Sequence, residues 1–174
     1  MEIIPAIIPE NFDDLRRKVS LVRGLVDVVH IDVSDGKFSP ALNWPLSGDK
    51  EGDFGKFVKG DVSFPFWEEL GFEVHLMLEG PEEQIDSWVS AGARRVIAHV
   101  ESTSNLERLI KDFRQKSPKS SKLSSNPEFG MALLLDTPIE LIYQHVEAAD
   151  FVQLMSIAEI GYQGGEFRYE VLDK

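Results

Sequence analysis

The chain contains no cysteine, which removes disulfide bracing and thiolate chemistry from consideration and is compatible with a reducing compartment. Long hydrophobic runs are also missing, since none approaches the ~18 residues that a bilayer span requires. The start, Met1-Glu2-Ile3-Ile4-Pro5, has no basic stretch leading into an apolar one, so a cytoplasmic location is expected. Positive charge is scarce as well. Lys and Arg total 18 against 30 Asp and Glu, leaving a net charge of −12; nucleic acid and anionic membrane would be repelled over most of the exterior. A small anionic substrate must then meet a local positive feature, such as a metal ion. What is present suffices for a real core: 174 residues with 43% hydrophobic content can bury roughly 70% of the surface that the unfolded chain exposes. One domain spanning 1–174 is expected.

Six short, almost continuously apolar runs, Ile3 to Ile8, Val26 to Val33, Val74 to Leu78, Val96 to Val100, Met131 to Leu135 and Phe151 to Met155, have the look of parallel strands buried on both faces. Helical stretches with recognisable ends alternate with them. Asn11 can cap a helix over Phe12 to Arg23, Pro81 suits the first turn of one that Gly92 closes, and Thr137-Pro138 starts another. The repeated strand, helix, strand order predicts an α/β parallel sheet.

Two segments break this rhythm. Residues 43–64 are rich in Gly, Asp, Lys and Ser with Phe54 and Phe57 interspersed; they form an insertion, either a lid or a solvated excursion, and only Phe66 to Leu70 after it looks helical. Residues 115–128 are linker-like and are expected to be a flexible polar loop within the one domain.

The chemistry concentrates at the ends of the second and third runs. Alternate residues of a strand share a face, so His30, Asp32 and Ser34 point together, as do His75 and Met77. Two imidazoles and one carboxylate can converge there as metal ligands. Core histidines held by hydrogen bonds are the plainer explanation, and core filling is the plainer role for Met77 and Met155. His99 and Glu101 either contact a substrate or form a structural pair. His145, near a helix end, and the acidic group Glu79, Glu82, Glu83 and Asp86 suit solvated positions compatible with helix dipoles.

Taken in order along the chain, these residues resemble the ribulose-phosphate 3-epimerase family: Pro5-Ala6-Ile7-Ile8, HIDVSDGKFSP from 30 to 40, EVHLM from 73 to 77, AGARRVIAHVES from 91 to 102, GMALLLDTP from 130 to 138, and LMSIAEIGYQGGEF from 154 to 167. The resemblance implies a TIM barrel with its site at the carboxyl ends of the strands. Here it implies a partial (β/α) barrel of about six strands lacking the seventh and eighth βα units. It implies metal-assisted proton abstraction and return at C3 of a ketose phosphate, with His30, Asp32 and His75 as ligands for a divalent ion, Zn²⁺ or Fe²⁺. Asp32 becomes an acid/base, Met77 and Met155 line the site, and Gly161, Gly164 and Gly165 offer N–H groups to phosphate. Ser34 replaces a third methionine.

There are departures from the family pattern. Ala6 stands where the family has a serine, Leu134 replaces an asparagine, and Ala158-Glu159-Ile160 interrupts the usual Asn-Pro. The second acid/base belongs to a seventh strand, so impaired catalysis by this chain alone is expected. The alternatives are an inactive relative that binds metal or sugar phosphate, and a structural protein that assembles with itself. Open strand edges at either side of a six-stranded sheet also favour a homo-oligomer.

Overall fold

The computed structural model describes residues 2–48, 52–116 and 126–174. Within them lie β1 (Ala6–Ile7), α1 (Phe12–Val22), β2 (Val28–Ser34), α2 (Asp53–Lys59), β3 (Gly71–Met77), α3 (Glu82–Ala91), β4 (Arg95–His99), α4 (Leu106–Lys116), β5 (Glu128–Leu133) and β6 (Phe151–Leu154). The six strands form one sheet in chain order, all pairings parallel. This is the α/β fold of a partial TIM barrel, with β1 and β6 not joined by a strand ladder.

Side-chain alternation divides each strand between two layers. Val29, Ile31 and Val33 of β2, with Phe72, Val74 and Leu76 of β3, join the buried apolar core together with Leu15 and Val19 of α1 and Ile85, Trp88 and Val89 of α3. The other set of residues faces inward. Register places His30 beside Glu73, Arg95 and Glu128 in one row, then Asp32 beside His75, Ile97, Gly130 and Phe151 in the next. A third row runs from Ser34 and Met77 to His99, Ala132 and Gln153. The Phe151 ring lies so close over Gly130 that an added Cβ would come within 2.5 Å of it. Only glycine leaves room for the ring there.

Helix ends follow local chemistry. Asn11 Oδ1 accepts a hydrogen bond from the Asp14 N–H at 2.8 Å, satisfying one of the free donors at the start of α1. Gly92, with φ of 109°, closes α3, a left-handed conformation costly for other residues.

Three expectations are corrected. The helix near the insertion is α2, at Asp53–Lys59, while Phe66 to Leu70 forms a turn in which the Glu69 and Leu70 N–H groups donate to the Phe66 carbonyl. The reason is packing: Phe57 is fully buried against Phe12, Trp44 and Phe64. Residues 43–48 and 52–64 therefore supply core aromatics and are not a solvated excursion. After Thr137-Pro138 come two 3₁₀ helices, Ile139–Ile142 and Val146–Ala148. Only Ile142 there is fully buried, a stripe too narrow to hold a longer helix. Of the segment 115–128, residues 117–125 lie outside the described residues.

The strand edges are partly spanned. After β6 the chain turns back over the carboxyl end of the sheet, where Gln163 Nε2 donates to the Ala6 carbonyl of β1 at 2.7 Å. Lys174 Nζ donates to the carbonyls of Leu134 and Thr137.

Candidate metal centre

The neighbouring strands β2 and β3 carry His30, Asp32 and His75 to one point. One ligand atom from each lies within 4.8 Å of the others. Asp32 Oδ1 is 3.1 Å from His30 Nε2 and 3.0 Å from His75 Nδ1. Both contacts fall on Oδ1, so Oδ2 is used by neither histidine.

Behind these atoms sits a row of supporting groups. His30 Nδ1 lies 2.7 Å from Glu73 Oε1, and Arg95 bridges Glu73 and Glu128 at 3.2 and 2.7 Å. His75 Nε2 lies 2.9 Å from His99 Nε2, and His99 Nδ1 lies 3.2 Å from Glu101 Oε2. Glu101 Oε1 accepts the Leu134 N–H at 2.8 Å. The Phe38 ring covers His99, their centroids 5.0 Å apart.

The electrostatics divide the two imidazoles. Burial disfavours a charged His30, but hydrogen bonds to Asp32 and Glu73 outweigh it and raise its pKa to about 9. His75 is fully enclosed, and burial lowers its pKa to about 4 despite Asp32. Burial pushes Asp32 upward, yet the hydrogen bonds from His30 and His75 hold it well below the usual carboxylate range. Asp32 is therefore ionised, and a proton on His30 stands where positive charge is wanted.

That pattern fits a cation. The two imidazole nitrogens now meet the Asp32 oxygen through N–H hydrogen bonds, and a divalent ion would take the place of those protons, since metal ligands bind deprotonated. The N₂O donor set is one that Zn²⁺ and Fe²⁺ accept, and the carboxylate behind His30 is the usual support for a metal-bound imidazole.

The remaining expected site residues fare differently. Met77 is buried beside Ser34, whose Oγ is 4.0 Å from its sulfur. Met155 follows β6 and receives the Gln153 amide at 3.3 Å; the same amide is 3.4 Å from His75 Nδ1. Gly161 reaches the site end of the sheet, its φ of 91° and close approach to Ser34, Ser39 and Ala41 leaving no space for a side chain. Gly164 and Gly165 instead line a hollow with Glu159, Glu166 and Arg168. His99 and Glu101 are hydrogen-bonded to each other and, through His75, to the cluster. His145 pairs with Gln144, away from it. Glu73 and Gln153 escaped the sequence reading, although alternation from His75 and from Met155 puts both on the inward face.

The loop after β2 is locked by its own side chains. Asp35 accepts N–H groups of Lys37, Phe38 and Glu79, and Asn43 bridges the Asp32 carbonyl and the Ser34 N–H. These bonds tie the end of β2 to the end of β3.

The model of the ribulose-phosphate 3 epimerase family matches residues 2–174. A ribulose-phosphate 3-epimerase of Bacillus subtilis is 29% identical over 175 residues, covering 100% of this chain and 70% of the relative. One from Schizosaccharomyces pombe is 31% identical, covering 99% and 68%. One from Rhodobacter capsulatus is 30% identical, covering 90% and 60%. No described helix is long and apolar enough to cross a membrane.

Proposed function

Because the chain belongs to the ribulose-phosphate 3 epimerase family, we propose that it binds a ketose phosphate and moves the proton at C3, with His30, Asp32 and His75 as the ligands of a divalent ion. The observation that carries this reading is the convergence of those three side chains within 4.8 Å at the carboxyl ends of β2 and β3, where this fold does its chemistry. Zn²⁺ or Fe²⁺ held there supplies Lewis-acid stabilisation of the charge that develops when a proton beside a carbonyl leaves.

The chain's own residues do the rest. Asp32, ionised and with Oδ2 outside the histidine contacts, takes the proton from one face of C3 and returns it. Met77 and Met155 line the reacting carbon with polarisable, water-excluding surface. Gly161, Gly164 and Gly165 present N–H groups to the phosphate, against the nearby carboxylates Glu159 and Glu166.

Asp32 is the one carboxylate in the only three-ligand cluster among the described residues. Epimerisation needs a second acid/base on the opposite face, and lacking one costs typically 10²–10⁴-fold. Unless a second group joins Asp32, turnover is expected to be weak. Glu159 and Glu166 in the glycine-lined hollow favour a second reading, in which the chain binds the ion without turning over the sugar phosphate. The free ladder edges of β1 and β6 support association with a second copy.

The test is a coupled assay on the purified chain with ribulose 5-phosphate, stripped of metal and then given Zn²⁺ or Fe²⁺, with sedimentation velocity on the same preparation. We expect a dimer with weak, metal-dependent turnover that Asp32→Asn abolishes. Metal binding without turnover selects the second reading. Turnover indifferent to both metal and Asp32→Asn sinks the assignment.

A further inference from the structure

The run Phe151-Val152-Gln153-Leu154-Met155 is apolar but for Gln153, which has no part in the roles assigned above. Val152 and Leu154 pack against the core, and alternation leaves Phe151, Gln153 and Met155 on the inward face. Register sets Gln153 beside Ala132 of β5, in the row that begins with Ser34 and Met77. It is partly buried there.

An amide brings N–H donors and a carbonyl acceptor to this wall, and the protein satisfies them poorly. Gln153 Nε2 lies 3.3 Å from the Met155 sulfur, which is a weak acceptor. It also lies 3.4 Å from His75 Nδ1, a nitrogen already engaged with Asp32 Oδ1 at 3.0 Å. Gln153 Oε1 has no partner among the described residues. A polar group partly withdrawn from water holds such a position at a cost unless something else completes its hydrogen bonds. Leucine would fill the same wall without that cost.

Chemistry identifies the group that completes them. A hydroxyl donates and accepts at once, and so pairs with both halves of an amide, whereas ionised carboxylate and phosphate oxygens only accept. Position then selects which hydroxyl. Gln153 reaches from His75, a proposed ligand of the ion, to Met155, after which the chain runs on to the glycines proposed for the phosphate. On a five-carbon ketose phosphate stretched between those two points, the carbon between the reacting C3 and the phosphate-bearing carbon is C4.

We propose that Gln153 binds the C4 hydroxyl of the ketose phosphate and selects for chains that carry one. The proposal rests on the function proposed above. Gln153 is a specificity residue: it touches the substrate and moves no proton. Gln153→Leu keeps the volume and removes both halves of the amide, in a run whose other members are already apolar. Its effect should therefore fall on ligands that bear the hydroxyl and spare those that lack it.

The experiment measures binding by calorimetry to the full chain supplied with Zn²⁺, for ribulose 5-phosphate and for the same compound without its C4 hydroxyl. The parent should bind ribulose 5-phosphate about tenfold more tightly than the deoxy compound, and Gln153→Leu should bring the two to within about twofold of each other. A preference that survives in Gln153→Leu overturns the proposal, including when both ligands weaken alike, as a purely structural role would have it. Equal binding of the two ligands by the parent also overturns it and leaves the ketose-phosphate reading standing. If Gln153→Leu does not fold, the parent's preference decides. If neither ligand binds the parent, the ketose-phosphate reading falls and the role of Gln153 falls with it.

Discussion

The middle of the sheet and its two margins are built differently. Between β2 and β3 the register runs unbroken from Val28 with Gly71 to Ser34 with Met77, and every residue of β3 is buried. β1 contributes two residues, and all four of β6 are only partly buried. The proposed metal ligands ride on the first pair, and the methionine and glycines expected near the sugar phosphate follow the second. A constellation that must be held within a few tenths of an ångström sits where backbone freedom is least. Elements that admit and cover a ligand come from the less stable part of a fold.

Truncating one side chain in each region tests this difference, and it carries the largest expected effect. Leu76 of β3 is wholly enclosed in the core, whereas Leu154 of β6 is partly exposed at its border. Leu76→Ala should lower the unfolding free energy by about 2–5 kcal/mol, because a cavity is left where the structure cannot collapse. Leu154→Ala should cost about 1 kcal/mol, less apolar area being removed from a site with room to relax. Urea denaturation of both variants reads the contrast. Equal costs would show that the margin is packed as firmly as the centre.

The same contrast explains what could be read from the residues alone. β2 and β3 announce themselves because Val28, Val29, Ile31 and Val33 leave only His30 and Asp32 as polar interruptions, and period two puts those on one face. The three-residue cluster followed from that spacing. α2 did not, since Gly55 divides Phe54 from Phe57 and two turns give too little periodicity to outweigh a Gly- and Asp-rich surrounding. Glu73 was legible by alternation from His75, but a charged residue in a buried row is an unusual assignment until Arg95 and His30 are seen beside it. The His75 to His99 contact was not legible at all. It depends on where β4 registers against β3, which is set by tertiary packing and not by local pattern.

Acid titration offers a smaller effect at the well-packed side. Glu101 is pushed up by burial, but hydrogen bonds from His99, the Thr137 side chain and the Leu134 N–H hold its pKa at about 2, against 4.5 for an ordinary glutamate. A folded-state value below the unfolded one means that its stabilisation is fully present above about pH 4.5 and fades as pH falls towards 2. After allowance for solvent around the partly exposed carboxylate, the amount is about 1 kcal/mol. Glu101→Gln should flatten the stability profile over that window. Glu170, whose pKa is lowered by an exposed pair with Arg168 near the chain's end, should leave the profile nearly unchanged when made Gln. Thermal unfolding between pH 2 and 5 distinguishes them, and identical profiles for parent and Glu101→Gln would contradict the buried anchoring of this carboxylate.

The smallest effect concerns the segment after β6. Gln163 is exposed, and its side-chain bond to the Ala6 carbonyl reaches the β1 ladder edge from across the sheet. A solvent-exposed hydrogen bond of this kind contributes about 0.5 kcal/mol, since water replaces it readily. Gln163→Ala should therefore barely move the global unfolding midpoint. Its consequence is local: residues 156–168, anchored otherwise by buried Ile160 and by the Arg168 N–H to the Ser156 carbonyl at 2.7 Å, should exchange amide hydrogens faster while β2 and β3 keep their protection. Hydrogen exchange read by mass spectrometry resolves the two regions in one run. Faster exchange throughout the sheet would mean that the margin and the centre open as one unit, and unchanged exchange at 156–168 would mean that packing of Ile160 and Gly161, not the bond to β1, holds the segment over the site.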